Sequence, residues 1–379
     1  MEVALYDPQF GYYTRLGADI GPEADYITSP ELHPAFGVLL TVQLAEFWRV
    51  LGEPNPFWLV EAGPGRGTLT FDVLRTAATS FPALAEAMRV ALLERSPSMR
   101  ARQAALLAPW LERITWLDAD ADNWSTLGEG CIVANELLDA LPVHRVVMRE
   151  SGLSEVFVAA DQRGLFEEEA APSSEQLAAQ IAAGGGHLRP GQRGEVNLRA
   201  SRWMRRASRL LDRGFMLLVD YGGPAADLYG PRHPRGTIRA YYRHVLSEDV
   251  LSRVGVQDLT AHVDFSAVTR AAESEELRLL GATRQATWLT RLGLDVLIAR
   301  SRIAIAERGP QRAHETALRL LGHPRALGAL LVAVFGKEVS TEPGAGFVGS
   351  TAPPEPPFLW ESLRGDPRHV LAMSHEGAP

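Results

Sequence analysis

Apolar and polar positions along the chain fall into two alternating rhythms. Between Pro34 and Leu51 the residues Phe36, Leu39, Leu40, Leu44, Phe47, Trp48 and Leu51 recur at helical spacing, and Pro54-Asn55-Pro56 breaks the pattern. FWLVEA (57–62) is a short apolar run that predicts a buried strand. GPGRG (63–67) predicts a turn and TLTFDVLRTAA (68–78) a helix. RVALLE (89–94) predicts a second strand, and SPSMRARQAALLAPW (96–110) a helix with Ser96 as cap and Pro97 in its first turn. ITWLDA (114–119) and GCIVANE (130–136) predict two more strands. SRWMRRASRLLDR (201–213) predicts an amphipathic helix and GFMLLVDYG (214–222) a fifth strand. Strands alternating with helices predict an α/β fold, Rossmann-like, with a mostly parallel sheet and helices on both faces.

Two regions interrupt this rhythm. Residues 151–194 carry an expected hairpin, SEVFVAA (154–160) and GLFEEE (164–169), followed by the Gly-rich stretch AAGGGHLRPGQRG (182–194). Residues 224–262 show little periodicity. DFSAVTRAAESEEL (264–277) reads as a helix with Asp264 or Ser266 near its start, and residues 285–322 as helical with a broad apolar face. ALGALLVAVFGK (326–337) is a candidate last strand. The expected organisation is one domain over 1–340 with an N-terminal extension and insertions at about 151–194 and 285–325. A Pro- and Gly-rich tail follows over 341–379.

Composition changes this picture only in places. The 379 residues are 46% hydrophobic and 22% charged, ordinary for a globular chain. A net charge of −8 argues against a nucleic-acid partner. Lys337 is the only lysine, so chemistry that needs a lysine has no other source. Cys131 is the only cysteine, which excludes an intrachain disulfide and a cysteine-rich metal site, and no metal is expected. No apolar stretch reaches a membrane span, and MEVALYDPQFGYY lacks the regions of a signal peptide. A soluble cytoplasmic protein without membrane insertion is the expectation.

Candidate chemistry centres on the glycine turn. A phosphate-binding loop of the GxxxxGK type needs a lysine that is missing here, and a dinucleotide fingerprint needs GxGxxG. Gly63, Gly65 and Gly67 instead give GxGxG, with Glu61 two residues earlier. That is the methyltransferase form, and its physics fits S-adenosyl-L-methionine, which carries a sulfonium and an ammonium but no phosphate. A carboxylate at the strand end suits such a cation and would repel a pyrophosphate. Glu94, ending the second strand 27 residues after Gly67, is placed to accept bonds from both ribose hydroxyls. Asp118 is a candidate for the adenine amino group, although a solvated loop aspartate is as good a reading. Asn135 and Glu136 end the fourth strand. A tight strand–helix turn without ligand remains the plain alternative for each position taken singly.

With ANELLDALPVH (134–144) in view, the chain resembles the MidA family, methyltransferases related to a mitochondrial complex I assembly factor that methylates an arginine. The resemblance rests also on ALYDPQFGYY (4–13), DYITSPELHPAFG (25–37), VEAGPGRGTL (60–69), VDYG (219–222), GTIRAYYRH (236–244) and QDLTAHVDF (257–265), and covers residues 3 to about 335. It implies a class I methyltransferase fold with added helical segments and S-adenosyl-L-methionine as cofactor, with S-adenosyl-L-homocysteine as product. It implies a cofactor site including Gly63, Gly65, Gly67 and Glu94, with the loop Thr28-Ser29-Pro30-Glu31 over it. In the mitochondrial relatives it implies a protein arginine as acceptor.

A guanidinium acceptor stays protonated, so carboxylates are needed to hold and orient it. Glu136 and Asp139 are the first candidates and Glu31 the next. If 135–140 opens a helix, Glu136 and Asp139 share a face; helix capping by Asn135 and Asp139 is the alternative. Asp258 and His262 are candidate proton acceptors or structural pins. Tyr6, Phe10, Tyr12 and Tyr13 read as a small satellite core. Three functions fit these residues: a protein arginine methyltransferase acting on a protein partner, with a complex I subunit as one candidate; a small-molecule O- or N-methyltransferase; or a non-catalytic assembly factor that only binds the cofactor.

Overall fold

A computed structural model describes residues 1–14, 27–243, 245–339, Pro353, Pro354 and Leu359. The rest of the expected tail lies outside the described residues, as do Asp25, Tyr26 and His244 of two motifs. The chain packs as two compact units, one of residues 19–135, 209–219 and 277–379, the other of 1–18, 136–208 and 220–276.

The first of these is built on seven strands: β1 (Phe57–Ala62), β2 (Met88–Leu93), β3 (Ile114–Leu117), β4 (Gly128–Asn135), β5 (Leu211–Asp220), β6 (Arg278–Arg284) and β7 (Leu331–Lys337). They lie in the order β3-β2-β1-β4-β5-β7-β6. β1 pairs parallel with β2 and β4, β2 with β3 and β4 with β5, whereas β6 and β7 are antiparallel. β1, β2 and the middle of β4 are apolar and buried because helices cover a parallel sheet on both sides.

The order has one physical consequence for the site. The chain runs outward from β1 to β3 and then returns past β1 to lay down β4. Strand order therefore reverses between β1 and β4, and at such a point the loops leaving the carboxyl ends diverge and leave a crevice. The glycine turn leaves β1 there, and Asn135 ends β4 beside it.

Helix Ala35–Val50 follows the expected period, burying Phe36, Leu39, Leu40, Leu44, Phe47 and Trp48. Phe47 stacks on Phe215 of β5 with ring centroids 4.0 Å apart, and Trp288 Nε1 donates to Gln43 Oε1 at 3.2 Å. Helix Thr68–Ser80 approaches it closely at Gly37, where a Cβ would lie 2.5 Å from Asp72 Cβ. Ser96 caps helix Pro97–Leu106 by accepting from Met99 N–H, as its position in the sequence suggests. Helices Gln285–Leu292, Leu294–Ala304 and Arg308–Leu321 form the expected helical stretch.

The second unit carries a four-stranded antiparallel sheet in the order 164–170, 152–161, 144–149 and 193–196. The first two strands are the expected hairpin, joined at Asp161↔Gly164. Val146 and Val196 of this sheet pack with Leu177, Ile181, Leu188, Ala225 and Tyr229 into a local core. A three-stranded sheet occupies Arg239–Tyr242, Val245–Ser247 and Asp258–Thr260. Asp264 caps helix Phe265–Glu273 through Ala267 N–H at 3.0 Å.

Three elements differ from the sequence expectation. The helix predicted over 201–213 runs from Leu198 to Ala207, and Leu211 already opens β5. Leu210 and Leu211 continue the helical period by coincidence but are buried as the entry to the strand. β6 was not foreseen: it is an edge strand of mixed exposure and shows neither a continuous apolar run nor clean alternation. Residues 136–141 form a bend and turns, not a helix, and Glu136 has φ 51°. The helical face proposed for Glu136 and Asp139 therefore does not exist.

Gly130 supplies a test of sheet packing. A Cβ there would lie 2.0 Å from the carbonyl oxygen of Trp58 on β1. Gly130→Val is expected to destabilise the protein by roughly 1–3 kcal/mol through overpacking. The readout is a lower urea midpoint at an unchanged slope; an unchanged midpoint would mean that the strands have room here.

Candidate functional site

The glycine turn needs its three glycines for different reasons. All three have positive φ: 68° at Gly63, 52° at Gly65 and 85° at Gly67. An L side chain is strained in this region. A Cβ on Gly65 would meet nothing within 4 Å, so this face of the turn is open to a ligand. At Gly67 a Cβ would stand 3.3 Å from Gln103 Cγ, so that glycine makes room for the protein itself. Gly63 N–H donates to Leu93 O at 3.1 Å, tying the turn to the end of β2.

Three buried carboxylates accompany the turn. Glu61, next to last in β1, accepts the Thr70 hydroxyl, and Glu31 accepts that of Thr68 at 2.6 Å. Arg66 Nη1 stands 3.7 Å from Glu31 Oε2. Glu94 Oε1 accepts Ser96 N–H at 2.7 Å and its Oε2 accepts Gln103 Nε2 at 3.0 Å. Burial pushes the Glu61 carboxyl up to about 7; the Thr70 bonds oppose this, and repulsion from Glu31 and Glu94 adds to it. Burial also raises Glu94, against the bonds from Ser96 and Gln103. Such a group gains from a cation and loses from a phosphate. The residues present fit a sulfonium nucleoside: an open glycine face, carboxylates for its cationic end, and Glu94 for a ribose.

The loop 28–34 is clasped from below. Ser29 Oγ and Gln285 share hydrogen bonds of 3.1 and 2.9 Å, and Gln285 Nε2 also donates to Leu321 O at 3.0 Å. His33 Nδ1 accepts Ala35 N–H at 3.0 Å, so its proton sits on Nε2, which donates to His314 Nδ1 at 2.9 Å. The Ser29 hydroxyl thus serves the packing of the loop. Thr28, half-buried, precedes the short helix Ser29–Leu32 and makes no cap bond with its side chain. Asp118 is exposed and Oδ1 closes its own turn by accepting Asp120 N–H at 3.0 Å. Asn135 is half-buried at the end of β4.

A second acidic group lies in the other unit. Asp139, Asp220 and Asp258 are all buried, and Glu136 is half-buried. Asp220 accepts Leu138 N–H and Tyr221 N–H, both at 2.8 Å, and so pins the turn that carries Glu136 and Asp139. Asp139 O accepts Ala261 N–H at 2.9 Å, and Tyr13 donates to Asp258 Oδ1 at 2.6 Å. Burial raises Asp139 far above the usual carboxylate range, with repulsion from Asp220 and Asp258 adding to it. Burial likewise raises Asp220, with Glu136 opposing ionisation further. Tyr221 and Tyr241 are held protonated by burial beside these acids. His262 is at the margin: its ring stacks with Tyr221 at 6.4 Å, and its N–H donates to Thr237 Oγ1 at 3.1 Å.

Of the sequence candidates, Glu31, Glu61, Glu94 and the three glycines come together in one unit, and Glu136 with Asp139 in the other. The aromatic cluster packs as the satellite core expected at its three tyrosines, with Tyr6 and Tyr12 each against the Tyr13 ring at 5.6 and 5.1 Å and Tyr12 buried. Tyr6 donates to Ala140 O at 3.1 Å and Tyr13 to Asp258, so two of its members serve the acidic group, while Phe10 is exposed. Sequence reasoning missed Thr68, Thr70 and Gln103. The only trace of Gln103 in the sequence is a polar residue in a helix, which carries no information until its partners are known.

Residues 39–283 match the family described as S-adenosyl-L-methionine-dependent methyltransferase. The chain is 32% identical over 326 residues to the mitochondrial protein arginine methyltransferase NDUFAF7 homolog of Drosophila melanogaster, covering 77% of this chain and 70% of that protein. It is 31% identical over 325 residues to the NDUFAF7 protein of Homo sapiens, covering 78% and 69%. A solved COG1565 superfamily protein from Burkholderia thailandensis, bound to S-adenosyl-homocysteine, aligns with TM-score 0.79 and 29% identity over 92% of this chain and 89% of that one. The named relatives are mitochondrial, and this corrects the expectation of a cytoplasmic protein. No helix of the described residues is long and apolar enough to cross a membrane.

Glu61 makes a checkable demand on pH. A cation beside it stabilises the carboxylate, so cofactor binding below about pH 7 releases a proton. Affinity for S-adenosyl-L-methionine is expected to rise between pH 5.5 and about 7.5 and then level off. Titration calorimetry at pH 6.5 in two buffers of different ionisation heat reads the proton directly; no release would remove Glu61 from the cationic end. Gly65→Val, which fills the open face and forces a β-branched residue to positive φ, is expected to abolish binding, and normal binding would sink the site.

Proposed function

This chain belongs to the family of S-adenosyl-L-methionine-dependent methyltransferases, and from that premise we propose that its methyl acceptor is an arginine side chain of a protein. The observation that carries this reading is the buried group Asp139, Asp220 and Asp258 beside half-buried Glu136. Burial and neighbouring acids disfavour ionisation of Asp139 and Asp220, and a permanent cation beside them restores it. A guanidinium is such a cation, and its fork of donors matches a carboxylate in a way no neutral hydroxyl acceptor does. The names of the curated relatives support the same class of acceptor. The resemblance to an assembly factor of respiratory complex I makes a subunit of that complex the first protein to try.

In this proposal Glu61 holds the cationic end of the cofactor, Glu94 the ribose, and Asn135 and Asp118 contact the nucleoside. Gly63, Gly65 and Gly67 admit it, and Thr28, Ser29 and Glu31 form the loop over it. Glu136 and Asp139 hold the guanidinium. Methyl transfer from a sulfonium is an in-line displacement, so most of the catalysis is orientation of the attacking nitrogen behind the methyl group. The nitrogen must also lose a proton, and an ionised carboxylate of this group, with His262 at its margin, is the proposed acceptor. Asp220 acts through the turn it pins and is a positioning residue. The segment 1–340 is proposed to work as one methyltransferase domain, the insertions at 151–194 and 285–325 elaborating it.

Incubating the purified protein with a host lysate and tritiated S-adenosyl-L-methionine tests the reading. A labelled protein band that yields methylarginine on hydrolysis is expected. Label confined to small molecules would replace it with a small-molecule methyltransferase, and no turnover with normal cofactor binding would leave a binding protein. Glu136→Gln is expected to lower transfer at least about tenfold, the cost of one charged hydrogen bond, at unchanged cofactor affinity. Full activity in this variant would take Glu136 out of the acceptor site.

A further inference from the structure

Gln103 is a fully buried side chain on helix Pro97–Leu106 that no part of the reaction has yet used. Its carboxamide meets three partners. Nε2 donates to the carbonyl oxygen of Gly65 at 2.7 Å and to Glu94 Oε2 at 3.0 Å, and Oε1 accepts Trp116 Nε1–H at 2.9 Å. The partners fix the orientation of the amide. Turned over, it would set an oxygen against the Gly65 carbonyl and the Glu94 carboxylate and an N–H against the indole N–H. One side chain thereby joins the turn after β1, the acid after β2 and a residue of β3. The absence of a side chain at Gly67 leaves the space that the Gln103 stem occupies.

The consequence lies at Glu94. Its Oε1 is held by Ser96 N–H and its Oε2 by Gln103, so the plane of the carboxylate cannot rotate. A carboxylate has about four lone-pair sites. Ser96 N–H, Gln103 Nε2 and Arg95 N–H take part of this capacity, and the remainder is what the hydroxyls of a ribose would use. The same amide holds the Gly65 carbonyl, and with it the peptide plane of the open face of the turn.

We infer that Gln103 is the positioning residue that couples the glycine turn to Glu94, so that recognition of the ribose hydroxyls depends on an amide that does not itself touch the cofactor. This rests on the proposed cofactor site and adds to it a residue whose removal uncouples sugar recognition from binding of the rest of the nucleoside.

The test compares S-adenosyl-L-homocysteine with its 2′-deoxy counterpart by calorimetry, in the wild-type protein and in Gln103→Leu. In the wild type, loss of the hydroxyl is expected to weaken binding about tenfold or more, the cost of a hydrogen bond to a charged group. In Gln103→Leu the intact ligand is expected to bind roughly tenfold more weakly, and the deoxy penalty to shrink to about twofold because Glu94 is free to turn. A purely structural role for Gln103 weakens both ligands by one factor, and an undiminished penalty would overturn the inference.

Gln103→Glu keeps size and shape and guards against a folding defect in the leucine variant. It sets two carboxyls face to face, so its affinity for S-adenosyl-L-homocysteine relative to wild type is expected to recover as pH falls from 8 to 6; a ratio that stays constant with pH would also overturn the inference. The two levels of failure separate. A wild-type protein with no hydroxyl penalty removes Glu94 from the ribose, whereas a penalty that persists in Gln103→Leu removes only Gln103.

Discussion

Much of this molecule depends on the removal of carboxylates from water. Glu31, Glu61 and Glu94 are buried around a glycine turn; Arg66 stands 3.7 Å from Glu31, and Arg100, bonded to the Glu94 carbonyl oxygen, favours the Glu94 carboxylate. An isolated buried charge is costly, so a protein either neutralises it by proton uptake or reserves it for a ligand. Here hydroxyls and amides soften the cost without removing it: Thr70 on Glu61, Thr68 on Glu31, Ser96 N–H and Gln103 on Glu94. These donors leave each acid oriented.

The sheet makes that concentration of acid possible. Parallel strands end at one edge, and reversal of order between β1 and β4 opens a crevice between neighbouring strand ends. Side chains from β1, from just beyond β2 and from the loop before helix Ala35–Val50 then meet although they lie tens of residues apart. The close approach of helices Ala35–Val50 and Thr68–Ser80 at Gly37, and the clasp of Ser29 with Gln285 and His33 with His314, hold the remaining loop. The framework is apolar packing; the polar bonds decide which way the functional groups face.

The acids of the other unit obey the same electrostatics with a different geometry. Asp220 spends both oxygens on backbone N–H groups, and Asp258 takes a tyrosine hydroxyl, so these two are built into the frame. Glu136, at positive φ on a turn, is the half-buried member. A strained backbone position that presents an acid is consistent with a role in holding a cation, since the turn is over-determined by the bonds around it.

How much of this was legible in the sequence can be seen residue by residue. The apolar runs of β1, β2 and β4, the amphipathic period of 35–50 and the Ser96-Pro97 start are local patterns, and burial follows from them directly. The GxGxG turn with Glu61 matches the methyltransferase form, and its spacing and charge argue against a phosphate ligand. Edge strand β6, the three-stranded sheet within 224–262 and the turn at 136–141 were not legible, because short or exposed elements draw their stability from non-local pairing and leave little period. The roles of Tyr13, Asp258 and Gln103 were hidden for the same reason. Tyr13 lies 245 residues from Asp258, and Gln103 reads as an ordinary helix polar residue until the fold sets it 2.7 Å from the Gly65 carbonyl. The sequence by itself determined the class of fold and pointed to a cationic cofactor, since both are written in local composition and spacing. Only the tertiary structure decided which acids are held rigid and which face a ligand, because a hydrogen bond exists only between groups that folding has brought together.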